Sequence, residues 1–377
     1  MNKICVYAIC KNEMKYIDAW LANMSEADYI VVLDTGSTDG TYEFLKSDPR
    51  CTRVEQQVIH PWRFDVARNE AMKLVPDDAN ILLSTDIDEL FDPGWGNIIR
   101  QNWTKDTMRG HYTYIHFHTS AGLPGDTFIY DKMHTRDYIW VFPVHEVLLP
   151  RCDEDPGYIF GLEPEQGHVI EFGNLITLHH YPDPEKSRSS YLPLLEQRAQ
   201  EFSTEPNSLF LLGREYAMAE RYTDAITWFN NALAAADISR FPVVKNCVLG
   251  YLGDIYTVLN NIPMAIYYYT QQIVDNPTYR EPYINIAEIY TRMGLNDSAI
   301  AIINEGIARS HQHFDWSERQ THWAEKPYDI LSVAYYNLKD LDNGIYNAIQ
   351  ALQYNPLDAR IQKNYLAMIN DKKSNKS

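Results

Sequence analysis

A repeat in the second half of the chain constrains the fold more than any other feature of the sequence. From about residue 206 onward, small and large residues recur at fixed offsets, and the third set follows the second after 34 residues, from Leu252 to Ile286. Such a period is typical of stacked helix pairs, because helices that cross closely need small residues where they touch. The sequence therefore predicts an all-α solenoid. The four sets are Leu212, Gly213, Tyr216, Ala225, Phe229 and Ala232; Leu252, Gly253, Tyr256, Ala265, Tyr269 and Pro277; Ile286, Ala287, Tyr290, Ala299, Ile303 and Gly306; and Leu331, Ser332, Tyr335, Gly344, Ala348, Ala351 and Pro356.

These offsets resemble those of the tetratricopeptide unit, a pair of helices. We expect about four units and a capping helix, Asp358–Asn370, in a domain that covers residues 201–377, with a frayed tail at the end. Extra residues fall around Ile238–Val244 and around Ser310–Trp323. The second insert either receives a partner or caps the groove of the solenoid. The solenoid itself either binds an acceptor, mediates self-association as a homodimer, or does both.

Composition and charge exclude several classes of protein. The chain has 51 acidic and 33 basic residues and a net charge of −18, which disfavours binding to nucleic acid because phosphates would be repelled. Scattered cysteines without a CxxC pair indicate neither a disulfide framework nor a zinc site. Without a signal peptide or an apolar run of about 18 residues, we expect a soluble cytoplasmic protein with no membrane span. The cysteines are Cys5, Cys10, Cys51, Cys152 and Cys247.

The first half of the chain has the alternation of a parallel α/β sheet. Apolar runs separated by amphipathic segments predict βαβ units with helices on both faces. The first, second and fourth strands should then end at one edge, where open α/β sheets bind ligands. Residues 107 to 180 read as strand and turn, so mixed or antiparallel sheet should complete a domain over residues 1–200. The predicted strands are Lys3–Ile9, Tyr29–Leu33, Thr52–Ile59 and Ile81–Thr85, and the helices are Met14–Met24, Thr41–Lys46 and Asp65–Leu74.

Charged residues follow these strands. Asp34 follows the second strand, and Asp86 and Asp88 follow the fourth. In an extended backbone, residues two apart point to the same side, so the last two carboxylates should converge on a divalent cation. Arg68, in the first turns of the third helix, fits a diphosphate clamp. The alternatives are a simple strand–turn–helix connection, a helix N-cap cluster ahead of Pro93, and a surface arginine.

The order of these motifs resembles the family 2 glycosyltransferases of the GT-A fold. It is similar to the bacterial subgroup with C-terminal tetratricopeptide repeats, which includes peptide S-glycosyltransferases, and the resemblance covers nearly the whole chain. It implies an α/β GT-A (nucleotide-diphospho-sugar transferase) domain followed by an all-α tetratricopeptide solenoid. The motifs are Ile9–Glu13, Asp34–Thr41, Phe64–Ala71, Ser84–Leu90, Pro143–Glu146, and Leu178–Tyr181 followed by Arg188.

The resemblance implies a nucleotide-sugar donor, usually UDP-linked, and an inverting transfer. By position, Ile9 and Lys11 should line the base pocket, with Asp34 or Thr35 beside them. Many relatives carry a second acidic residue at the position of Thr35, and that residue can contact the uracil. Arg68 should meet the diphosphate.

The resemblance also implies a metal site for Mn²⁺ or Mg²⁺. Asp86 and Asp88 form the DxD-type motif, in which Asp88 coordinates the ion and Asp86 also serves the nucleotide-sugar. A histidine late in the domain often completes such a site, and the family spacing favours His179 over His180. The alternative for these two histidines is a structural pair at a strand end.

Inverting transfer needs a carboxylate that takes the acceptor's proton. We expect Glu146 to be this base, with Asp126 and Asp131 as alternatives. Three alternating histidines fit polar decoration or acceptor contacts better than a zinc site. The absence of a QxxRW motif favours transfer of a single sugar. The histidines are His111, His116 and His118.

Three functions compete on this basis. The first is a metal-dependent, hexosyltransferase-type enzyme that acts on a cell-surface glycan, a lipid-linked saccharide or a peptide. The second is a protein-binding tetratricopeptide scaffold that carries an inactive GT-A domain. The third, a nucleotidyltransferase, is disfavoured because the segment after the first strand, ICKNEMKYI, lacks the glycines of a triphosphate loop.

Overall fold

The chain divides into two compact units, Met1–Ser203 and Thr204–Ser377. The computed structural model describes residues 2–118, 122, 124–151, 168–183, 191–313, 317 and 319–374. The first unit combines helices with a mixed sheet, and the second is helical.

The first unit is built on an eight-stranded mixed sheet with the order β3-β2-β1-β4-β7-β6-β10-β5. Strands β1 to β4 are parallel to one another, β7 runs antiparallel to both neighbours, and β10 is parallel to β6. The strands of this sheet are β1 Ile4–Cys10, β2 Tyr29–Asp34, β3 Arg53–Gln56, β4 Ile81–Ser84, β5 Glu89–Phe91, β6 Thr107–Ile115, β7 Thr127–His134 and β10 His168–His180, while β8 Tyr138–Val141 and β9 Val147–Pro150 form a separate antiparallel pair. The helices are α1 Ile17–Met24, α2 Thr41–Ser47, α3 Phe64–Met72, α4 Trp95–Asn102 and α5 Tyr191–Glu201.

Apolar residues on both faces explain why β1 lies at the centre of the parallel strands. Ile4 and Val6 pack in the same cluster as Trp20 of α1, whereas Tyr7 packs on the opposite face with Ala71 of α3. Successive strand residues point to opposite faces, so one apolar run supplies two cores. The predicted helices on both faces are thereby confirmed.

Sequence and structure differ at several boundaries. The third strand is limited to Arg53–Gln56, and α1 begins at Ile17 rather than Met14. The segment after β4 is not extended, because the Glu89 amide donates to the Asp86 carbonyl (3.1 Å) and closes a turn. The mixed sheet expected after residue 107 is confirmed, since β6, β7 and β10 join the same sheet as β1.

The second unit consists of helix pairs in the predicted order. Helix α6 packs on α7, α8 on α9, α10 on α11 and α12 on α13. The small residues are required by close approach: a Cβ on Gly213 would lie 2.7 Å from the Phe229 ring, and one on Gly306 would lie 2.6 Å from Tyr283 Cβ. This confirms a tetratricopeptide-like solenoid. The helices are α6 Pro206–Met218, α7 Tyr222–Ala234, α8 Pro242–Val258, α9 Ile262–Asp275, α10 Glu281–Arg292, α11 Asn296–Arg309, α12 Glu325–Asn337, α13 Leu341–Tyr354 and α14 Ala359–Ser374.

Short helical turns occupy the inserts between units. Ile238–Arg240 and Gln320–His322 are 3-10 helices. The last helix, α14, continues to Ser374, so part of the expected frayed tail is helical. Within the described residues, no helix combines the length and the apolar character needed to cross a bilayer.

Candidate functional site

Asp34 organises the loop at the carboxyl end of β2. Its Oδ1 accepts hydrogen bonds from the backbone amides of Gly36 (2.9 Å) and Ser37 (2.8 Å) and from Gln56 Nε2 (2.9 Å). Burial by itself would raise the pKa of Asp34, but these donors outweigh it, and the pKa lies below its usual range. Asp34 is therefore a rigid anionic residue at the sheet edge.

The loops that follow β1 and β2 are tied to each other. The Thr35 hydroxyl donates to the Cys10 carbonyl (3.0 Å), and Asn12 bonds to Ser37 and Thr38 across the two loops at 2.8 Å. Asn12, at φ 59°, was not expected as a site residue. The predicted base-pocket residues lie at the carboxyl end of β1, where Ile9 is half-buried and Lys11 is exposed.

Arg68 links two of the predicted site residues. It is 3% exposed, and its guanidinium donates to Glu146 Oε1 (2.5 Å), Ser84 Oγ (3.1 Å) and Asp86 Oδ1 (2.7 Å). The Trp140 ring lies 5.0 Å from the guanidinium carbon. The sequence thus identified three residues that the structure brings together around one buried cation.

Lys132, on β7, is a second buried cation that the sequence did not indicate. Its Nζ lies 3.3 Å from Asp86 Oδ2 and 3.9 Å from Glu89 Oε1. Burial would raise the pKa of Asp86, but Arg68 and Lys132 hold it well below the usual range. Burial raises the pKa of Glu89 to about 7. A lysine within a strand gives no sequence signal of this contact, which joins residues far apart in the chain.

The histidine beside Asp88 is His180, whereas the family spacing favours His179 as the metal ligand. His180 Nε2 lies 3.5 Å from Asp88 Oδ2, and its Nδ1 donates to the His116 carbonyl (2.8 Å). His179 instead contacts His118 and Asp92, at 3.1 and 3.2 Å. Burial would lower the pKa of His180, but Asp88 outweighs it and raises the pKa.

Asp88 and His180 are the two described side chains that lie together where the sequence predicts a divalent cation. Because the Nδ1 proton of His180 is directed to a carbonyl oxygen, the lone pair of the neutral ring lies on Nε2, which faces the carboxylate. Asp86 does not fit as a third ligand, since Arg68 and Lys132 engage both of its oxygens. In the described part of the chain, no group of three or more His, Cys, Asp or Glu side chains is arranged to hold a metal ion.

The loop that carries Glu146 has an unusual backbone. It is bent rather than extended, and Phe142 and His145 have φ values of 86° and 49°. Arg198 of α5, which is fully buried, donates to the carbonyls of Val144 and His145, both at 2.9 Å. Its guanidinium also stacks over the Phe142 ring at 3.6 Å. The sequence did not indicate Arg198, whose only signal is an arginine on the apolar face of a helix.

The remaining candidates lie elsewhere. Asp131 pairs with Arg109, and Asp126 is exposed. His111 pairs with Glu171 at 2.7 Å. Arg188, part of the last motif, lies outside the described residues, as does Cys152.

Comparison with known proteins gives remote likenesses. No protein-family model matches the chain, and no curated protein matches it. The crystal structure of the APC/C hetero-tetramer Cut9–Hcn1 is 15% identical with a TM-score of 0.40, over 49% of this chain and 33% of that chain. A thermophilic TPR protein of Thermus thermophilus is 17% identical (TM-score 0.33; 47% and 88% covered), and the first TPR domain of human RPAP3 is 18% identical (TM-score 0.31; 35% and 95% covered).

The first of these alignments spans only a third of its protein's length. None of the three proteins is named as a sugar transferase. The helical repeat is therefore assigned from the helix pairs of the chain itself, and the chemistry of the first unit from its own side chains.

Proposed function

We propose that the first unit is a sugar transferase that uses a nucleoside-diphosphate sugar, and that the second unit binds a protein. The transferase proposal is supported chiefly by one observation. Two buried cations, Arg68 and Lys132, share the carboxylate of Asp86 just after a central parallel strand, where α/β sheets bind ligands. Neither the family comparison nor the neighbouring structures adds to this support.

The donor would meet Asp86 first. The Asp86 side chain is 38% exposed, whereas Arg68 and Lys132 are buried behind it. Because these cations keep Asp86 ionised and each carboxylate oxygen can accept a second hydrogen bond, Asp86 is still an acceptor for sugar or ribose hydroxyl groups. The same cations stabilise negative charge on a diphosphate that lies against the site.

Asp88 and His180 are the residues that would hold a divalent cation, either Mn²⁺ or Mg²⁺. When bound, such an ion neutralises charge on the departing diphosphate. The His116 carbonyl keeps the Nδ1 proton of His180 in place, so that Nε2 stays available as a donor atom. The proposal replaces His179 with His180 in this role.

Glu146 is the proposed base of an inverting transfer. Arg68 orients its carboxylate through the 2.5 Å bond, and Arg198 fixes the backbone of its loop. A carboxylate held in this way can accept the proton of an acceptor hydroxyl or thiol without reorganisation. The acceptor is proposed to be a glycan, a lipid-linked saccharide or a peptide, and the base of the donor to be uracil.

Calorimetric titration of UDP, GDP, CDP and dTDP, with and without Mn²⁺, tests the transferase proposal. We expect one nucleotide to bind, and we expect Asp88→Asn to remove the Mn²⁺-dependent part of its affinity. Asp92→Asn is the matched control, since this exposed carboxylate lies nearby but contacts His179. The sugar conjugates of the bound nucleotide are then screened for hydrolysis.

If none of the four nucleotides binds, with or without Mn²⁺, the transferase proposal is rejected. The scaffold alternative would then stand for the whole chain. The second unit supports a protein-binding role because a repeated array exposes a long surface. Tyrosines exposed by more than half on this unit, Tyr267, Tyr346 and Tyr354, are side chains typical of protein interfaces.

The protein-binding role is tested by purification of the tagged full-length chain with a partner, followed by reconstitution from separate pure components. Analytical ultracentrifugation should give a complex of fixed stoichiometry that Tyr267→Ala or Tyr346→Ala weakens. A chain that sediments alone at every concentration of each candidate partner would count against this role.

A further inference from the structure

We infer that helices α8 and α10 form a binding site for the arginine of a partner segment, and that the chain's own insert occupies this site. The insert is residues 311–324, between α11 and α12. The inference rests on the protein-binding role proposed for the second unit and names the chemistry of the partner.

Arg319 of the insert bridges two consecutive helix pairs. Its Nη2 lies 2.6 Å from Asp254 Oδ2 on α8, and its Nε lies 3.1 Å from Glu281 Oε1 at the start of α10. The planar fork of a guanidinium suits two carboxylates better than an ammonium does. Arg319 therefore identifies a subsite in which two carboxylates are placed to bind one guanidinium.

The repeat itself builds this subsite. The Tyr269 hydroxyl of α9 donates to Asp254 Oδ1 (2.6 Å), so one carboxylate oxygen is held by the helix pair while the other faces Arg319. Tyr269 is buried, and its ring packs against Gly253 of the repeat signature. The orientation of Asp254 is thus set by the solenoid and not by the insert.

Other insert residues follow the same two helices. His322 is 1% exposed and lies 3.2 Å from Asn285 Oδ1 of α10, and burial lowers its pKa to about 3, so the ring adds no charge. Asn246 of α8 donates to Ser317 (3.3 Å). Ser317, Arg319 and His322 therefore all contact α8 or α10, as side chains of a bound peptide would.

The arginine of a partner can compete with Arg319 for this subsite. The side chains of Arg319 and Asp254 are 47% and 30% exposed, so a second guanidinium can approach the Asp254 carboxylate. In the sequence of residues 311–324, Arg319 is the single Lys or Arg, and the same segment contains the acidic residues Asp315 and Glu318. A partner with more basic residues would meet the site, on a chain of net charge −18, with better charge complementarity.

Fluorescence anisotropy with a labelled peptide of residues 311–324 tests this inference on the full-length chain. Wild type should bind weakly because its own insert competes. Arg319→Ala should bind at least about tenfold more tightly, since the competent fraction rises when the insert releases. Arg309→Ala, which removes an exposed arginine paired with Glu305, is the matched control and should behave as wild type.

One further protein variant and three peptides define the subsite. Asp254→Asn added to Arg319→Ala should abolish the gain, and a peptide with alanine in place of its arginine should not bind. A short glycine–serine peptide with one central arginine should also bind Arg319→Ala more tightly than its lysine counterpart does. This last comparison separates a guanidinium site from a surface that accepts only the insert.

Equal weak binding by wild type and Arg319→Ala, with equal helical circular dichroism, would overturn the inference. If Arg319→Ala loses helical signal, the Arg319→Lys variant is tested in its place, because lysine keeps the charge but lacks the guanidinium fork. A peptide affinity equal to that of wild type in Arg319→Lys would also overturn the inference. A reconstituted partner complex that survives Asp254→Asn would reject the arginine site while leaving the protein-binding role intact.

Discussion

Replacement of Arg68 by methionine tests whether the buried ion pairs of the first unit are arranged as described. The substitution removes the partner of Glu146, whose side chain is 10% exposed, and one of the two partners of Asp86. Removal of one member of a buried pair costs about 3–5 kcal/mol, because the other charge stays buried. Asp86 is more exposed and keeps Lys132, so we expect a loss near the lower end, about 3 kcal/mol.

Urea unfolding at pH 7, followed by tryptophan fluorescence, measures this loss. Five of the eight tryptophans lie in the first unit, so the signal reports mainly on it. Arg63→Met is the control: this arginine is 20% exposed and pairs with Asp65 and Glu201, and we expect a loss of about 1 kcal/mol or less.

The double variant Arg68→Met, Glu146→Gln provides the decisive comparison. It removes the orphaned carboxylate as well, so it should recover about 1–2 kcal/mol relative to Arg68→Met. A loss for Arg68→Met no larger than that for Arg63→Met would refute the argument. The argument would also be refuted if the double variant lost as much unfolding free energy as the two single variants lose in sum.

Three further predictions concern other parts of the molecule. Burial raises the pKa of Glu89 to about 7 from the ordinary 4.5, so the folded state holds this proton more tightly and the unfolding free energy falls as the pH rises between these values. Glu89→Gln should flatten this fall when the unfolding free energy is measured between pH 5 and pH 8. Arg198→Met should lower the turnover of any sugar transfer more than it changes nucleotide affinity, and Arg198→Lys should restore little because lysine lacks the guanidinium fork. Unchanged turnover together with unchanged calorimetric affinity would contradict a positioning role. Gly213→Ala should destabilise the second unit by about 1–3 kcal/mol through its clash with Phe229, whereas Gly250→Ala, with 3.4 Å to its nearest neighbour, should be neutral or stabilising in thermal unfolding by circular dichroism.

Local patterns in the sequence were enough for the elements whose contacts are near in sequence. The helix pairs follow from small residues at a fixed period, and Gly213 meets Phe229 of the very next helix. Arg68, Asp86 and Glu146 were each selected from their motifs, and the structure brings them into one cluster. The sequence did not indicate Lys132 or Arg198, because each acts on a segment that is distant in the chain.

The position of His180 beside Asp88 could not be predicted from local sequence patterns. Strand β10 pairs with β6 through register shifts near Gly173, and it pairs with β5 so that His180 lies opposite Glu89 and His179 opposite Leu90. A shift of one residue exchanges the two faces of a strand, so motif spacing alone could not determine which histidine lies beside Asp88.

The sequence by itself determined the parallel strands, the helix pairs and the charged residues that follow the parallel strands, because apolar period and small-residue spacing act over short distances. Tertiary structure decided which charges meet. Asp86 lies between Arg68 and Lys132, His180 lies beside Asp88, and Arg319 crosses onto α8 and α10. The physical reason is that ion pairs and strand register depend on the packing of segments that no local pattern connects.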